Sequence, residues 1–70
     1  MRLTEAKIGN DVVVKNILAD DDELKSFLFS LGCYSGETIT VVSKKRGGYV
    51  LSIKDARYNV DEELAEAIEI

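Results

Sequence analysis

Apolar and polar positions change period along the chain, and each change marks an element. Val12 to Leu18 (VVVKNIL) is β-branched and apolar, with Val12, Val14 and Asn16 alternating against Val13, Lys15 and Ile17. Neither face is cleanly polar, so the run predicts a strand in a small closed barrel with a helix laid on it. Gly9-Asn10-Asp11 before it is a turn. The period then becomes helical: Leu24, Phe27, Leu28 and Leu31 fall at i, i+3, i+4 and i+7. Asp20 is the expected N-cap, with Glu23 three residues on completing a capping box, and Asp21 and Asp22 favour the positive end of the helix dipole. Gly32 ends the helix in a left-handed C-cap. Phe29 lies off the apolar stripe.

Alternation returns after the Ser35-Gly36 turn. Ile39, Val41 and Ser43 are expected on one face of a strand, with Thr40, Val42 and Lys44 on the other. Lys45-Arg46-Gly47-Gly48 closes a hairpin, and Tyr49 to Lys54 is the returning strand. Asp55-Ala56 is read as a turn into a strand at Arg57 to Val60. Asp61 caps a helical turn through Leu64 or Ala65, and Ala67 to Ile70 forms a last short strand pairing back onto the start of the barrel. The prediction is a mostly β fold: a small barrel of about five strands, with one α-helix between the first and second strands and a short helical turn before the last. With no proline, every turn rests on Gly, Asn, Asp or Ser.

Length and charge narrow the function classes. Seventy residues make one domain, residues 1–70, with a thin core. The net charge is −4, and nine of the thirteen acids fall in two runs, Asp20 to Glu23 and Asp61 to Glu69. Such a surface argues against nucleic acid and against an anionic membrane, both of which need cations. One cysteine cannot form an intramolecular disulfide, and a chain beginning at Met1 with no long apolar stretch points to a cytoplasmic setting without membrane insertion. The absence of histidine removes the usual general base and the commonest transition-metal ligand. No nucleophile–base set or paired acid–base carboxylates are present, so no enzyme is expected.

The residues that invite chemistry each have a plain structural reading beside them. Cys33 reads as a small apolar residue packed past the helix rather than a thiol or metal site. The consecutive acids of Asp20 to Glu23 lack the spaced ligands and glycine turn of a calcium loop, and capping accounts for them; a weak, exposed Fe(II) or Mg(II) contact is the metal reading left to them, and no cofactor is expected. Lys44, Lys45 and Arg46 are the one concentration of positive charge. They serve either as a solvated turn that guards the hairpin or as a docking point. Phe29, if exposed, is an interface anchor; if covered, part of the rim. Tyr34 and Tyr49 are expected to be buried.

Taken together, Leu3 and Ile8-Gly9, then Leu28, Leu31-Gly32, Gly36 and Ile39, then Ala67, Ile68 and Ile70 resemble the ferrous iron transport protein A (FeoA) family in order and spacing across essentially the whole chain. Ser35 stands where the family usually has proline, and Lys44 to Tyr49 lacks its common Gly-Asp-Pro turn. The resemblance implies an SH3-like barrel and a cytoplasmic accessory of ferrous iron uptake. Its partner would be the cytosolic G-protein domain of a membrane iron permease. The candidate partner-binding residues are Phe29, Tyr34, Lys44, Lys45, Arg46 and Tyr49. Two other readings stand: a metal-sensing module like the C-terminal domain of iron-dependent repressors, and a nucleic-acid-binding barrel acting through Lys44, Lys45 and Arg46.

Overall fold

The structure, a computed structural model, describes residues 1–70. A 3-10 turn at Leu3–Glu5 precedes strands β1 (Asp11–Val13) and β2 (Asn16–Ile17), helix α1 (Asp22–Leu31), strands β3 (Thr38–Lys45), β4 (Gly48–Ile53) and β5 (Ala56–Asp61), helix α2 (Glu62–Glu66) and strand β6 (Ile68–Glu69). Every strand pairing is antiparallel: β1-β3-β4-β5 form one sheet and β2-β6 a second, two-stranded one. Leu3, Val14, Leu28, Cys33, Ile39, Val41, Leu51, Ile53, Ala65 and Ile68 meet between the sheets as a core with no measurable exposure beyond 1%. The helical turn at Asp61, the hairpin at Arg46-Gly47 and the pairing of the last strand with the start of the barrel are as the sequence predicts.

The departures have local causes. The strand expected over Val12 to Leu18 is two, giving six strands rather than five. Val14 donates its N–H to the carbonyl of Glu37, just before β3 of the large sheet, whereas Lys15 donates to Glu69 of the small one, so the chain changes sheets there. Helix α1 is capped by Asp21, not Asp20: its carboxylate accepts the Glu23 N–H at 2.9 Å, which puts Leu24 rather than Glu23 at the third helical position. Only Leu28 of the apolar stripe is fully buried, and Phe27 is 48% exposed, because α1 lies over the barrel rim rather than its face. A bulge between Val41 and Ser43 sets Ser43 opposite Val50 and Lys44 opposite Tyr49. That reverses the faces expected for Ser43 and Lys44. The turn after β4 is Lys54-Asp55, one residue earlier than expected, with both residues at positive φ (50° and 68°) and Ile53 opposite Ala56.

Candidate docking site at the helix–glycine joint

The end of α1 is built by its own backbone. Gly32, at φ 91°, donates to the Phe29 carbonyl at 3.0 Å, and Cys33 donates to that of Leu28 at 2.9 Å. These are the two bonds of a Schellman motif, and the buried pair Leu28 and Cys33 supplies its apolar contact. Burial pushes the Cys33 thiol up to about 11, well away from a reactive thiolate. Cys33 is fully buried just past the helix, packed against Leu28.

The tight turn projects Phe29 outward and folds Tyr34 beside it. Phe29 is 65% exposed, and its ring centroid lies 4.8 Å from that of half-buried Tyr34 with the planes tilted by 31°. This is a tilted aromatic pair at contact distance. Lys54 comes to the same place from the far end of β4. Its stem crosses Gly32, and its Nζ reaches Glu37 Oε1 at 2.7 Å while donating to the Tyr34 hydroxyl at 3.3 Å. Nζ lies 5.5 Å from the Tyr34 ring centroid, so the hydroxyl, not the ring face, is its contact. Lys54, with the Tyr34 hydroxyl second, holds the Glu37 carboxyl below its ordinary value; Glu37, with Tyr34 second, holds the Lys54 ammonium above its own. A groove of about 380 Å³ runs beside the pair, walled by Phe29, Tyr34, Lys54, Ile53 and Tyr58. It offers an exposed aromatic, an apolar wall and a surface ion pair, features suited to recognition.

The other candidate residues sit elsewhere. Lys44 Nζ donates to the Thr4 carbonyl at 3.3 Å and lies 6.0 Å from the ring of half-buried Tyr49; Lys45 and Arg46 are exposed at the hairpin tip. The six residues of β4 separate this tip from Lys54 by about 20 Å. The six candidates therefore form two clusters, Phe29 with Tyr34 and Lys44 to Arg46 with Tyr49. Glu37, Lys54 and Tyr58 join the first cluster without having been singled out in the sequence. The signal was the two-residue gap at Lys54-Asp55, since core parity through Leu51, Ile53, Ala56, Tyr58 and Val60 requires it.

The two acidic runs meet as well. Asp20 and Asp21 face Glu63 and Glu66 across a groove of about 350 Å³ floored by Leu18, Leu24 and Ala67. Arg2 lies in it, donating to the Glu66 carbonyl at 2.8 Å, with 3.7 Å to its carboxylate. No three of the chain's acids or Cys33 converge in a metal-holding geometry.

Six short antiparallel strands closed around one core, with a helix beside them, define an SH3-like small barrel. The FeoA domain model matches residues 1–70, and the chain belongs to that family. An iron uptake regulatory protein (FeoA) is 28% identical with a TM-score of 0.86, over 97% of this chain and 91% of that one. FeoA of Stenotrophomonas maltophilia, solved with zinc and described as an SH3-domain protein, is 22% identical with a TM-score of 0.84, over 99% and 87%. A manganese-dependent transcriptional repressor has the same fold at 20% identity and a TM-score of 0.87; this chain spans 97% of itself and 39% of the repressor. No curated protein sequence matches the chain.

Proposed function

We propose that the chain is a non-enzymatic cytoplasmic accessory of ferrous iron uptake that docks on the cytosolic G-protein domain of a membrane iron permease. Family membership supports the transport role; the zinc-bound relative is itself described as a candidate ferrous iron transport activating factor. The observation that carries docking is Phe29, a large aromatic left 65% exposed on a rigid joint. An aromatic packed against Tyr34, whose hydroxyl accepts from Lys54, loses less entropy on binding than a free one, which suits an anchor. Lys45 and Arg46, about 20 Å away, make a second contact through charge. Regulation follows only if the partner's two nucleotide states bind this surface with different affinity.

The test is an NMR titration of the labelled chain with that G domain, in wild type and Phe29→Ala. Shifts at Phe29, Tyr34 and Lys54, lost in the variant while its stability changes by about 1 kcal/mol or less, support the reading. Unmoved resonances at saturating partner overturn it. The repressor and zinc-bound relatives favour metal sensing as the second reading, and anaerobic Fe(II) added to the same sample separates the two: shifts confined to the groove of Asp20, Asp21, Glu63 and Glu66 would mark it.

A further inference from the structure

Strand β5 is an edge of the large sheet, with β4 on one side and no strand on the other. The Lys54-Asp55 turn sets its phase. Ile53 and Ala56 close the hairpin as a hydrogen-bonded pair, so Ala56, Tyr58 and Val60 face β4 with their amides. The N–H groups of Arg57, Asn59 and Asp61 and the carbonyls of Arg57 and Asn59 then point outward, and none enters a turn, loop or cap bond. Their side chains are exposed on the outer face.

Exposed edges are ordinarily guarded by charged side chains, lysine above all, by a proline, a bulge, brevity or a covering element. β5 has six residues, no lysine, no proline and an unbroken register from Gly48–Asp61 to Ile53–Ala56. Its outer charges are opposite in sign and equally spaced about Asn59, with Arg57 on one side and Asp61 on the other. We infer that β5 pairs with β5 of a second copy, antiparallel about a two-fold axis through Asn59.

That register sets Asn59 opposite itself in a hydrogen-bonded pair, Arg57 opposite Asp61 twice, and Tyr58 opposite Val60 on the core-facing side. Charge selects it over the alternatives. Centres at Arg57 or Asp61 put like charges face to face, a centre at Tyr58 sets Asp61 against Asp55, and a centre at Val60 carries Arg57 past the strand end. Asp61 can take the arginine because only its Oδ1 is used, accepting the Leu64 N–H at 2.8 Å. The inference does not depend on docking to a G domain.

Sedimentation of the full chain across concentration tests it, with Asn59→Pro and Arg57→Glu beside wild type. Asn59→Pro removes an outward N–H and leaves the β4 ladder intact; Arg57→Glu turns two attractive cross-strand pairs repulsive. Each should weaken the dimer about tenfold or more, with circular dichroism reporting the retained fold. In an Asn59→Cys chain the paired Cα atoms, about 5.5 Å apart, suit a disulfide under mild oxidation. Lys25→Cys, on exposed α1, should not cross-link, and Cys33 is buried. A monomer at about millimolar concentration, or a dimer indifferent to both the proline and the charge reversal, overturns the inference.

Discussion

A side chain at position 32 would need φ 91° and would place its Cβ 3.0 Å from Lys54 Cε and 3.2 Å from Ile53 Cγ2. The Lys54 stem can swing away; the Ile53 methyl, fully buried, cannot. Gly32→Ala should therefore cost about 1–3 kcal/mol, read by urea denaturation, and should displace Lys54 from Glu37. The Lys54–Glu37 pair gives a second prediction. Because Glu37 titrates below its ordinary 4.5, its contribution is present above that pH and is lost as pH falls through the lower, folded value. Because Lys54 titrates above its ordinary 10.5, its contribution is present below that pH and is lost as pH rises through the folded value. Lys54→Met should return the Glu37 carboxyl, followed by NMR, toward 4.5. The stability gap between Lys54→Met and wild type should be widest between those limits and narrow in salt, since the pair is solvent-screened. Phe29 is legible in the sequence as an aromatic off the apolar stripe, whereas Tyr34, expected to be buried, is half-buried. Glu37 and Lys54 are not legible there, because they are 17 positions apart and meet only through the cap at Gly32 and the left-handed turn at Lys54.

For single elements, sequence patterning succeeds where one local interaction decides and fails where two sheets compete. The helix end at Gly32 and the cap at Asp61 are set by neighbours within a few residues, and both were legible. The start of α1 offers three consecutive aspartates, any of which has cap chemistry; it is Asp21 whose carboxylate accepts the Glu23 N–H. Asp21→Ala should thus cost about 1 kcal/mol of stability, and Asp20→Ala much less, measured by thermal or urea unfolding. Equal losses would show that the cap is shared. The break at Val14-Lys15 had no sequence signal, since VVVKNIL reads as one strand and only the separate partners Glu37 and Glu69 divide it. The bulge near Val42 was hidden for the same reason, and it moved Lys44 onto the face of Tyr49.

Closure of the whole barrel depends on its last residues. Leu18 donates to the Ala67 carbonyl at 2.6 Å, Lys15 to Glu69 at 2.7 Å and Ile70 to Met1 at 2.8 Å, so β6 ties both the start of the chain and the sheet-changing strand to one place. Ile68 between them has no exposed surface. A chain of this length has roughly 4–10 kcal/mol of stability to lose, and truncating a buried isoleucine costs about 2–5 kcal/mol. Ile68→Ala should therefore remove about half the folding free energy, and unfolding at a lower urea midpoint with unchanged slope would register it. A chain lacking residues 68–70 loses the β2–β6 pairing together with that core contact. It should not fold, giving a collapsed amide NMR spectrum, whereas a dispersed spectrum would mean the four-stranded sheet closes a core alone. The thin core thereby explains why the aromatic joint is built as it is. Neither ring is absorbed in that core: Phe27 is 48% exposed and Phe29 65%. Phe29 instead packs at the surface against Tyr34, whose hydroxyl accepts from Lys54, itself paired with Glu37.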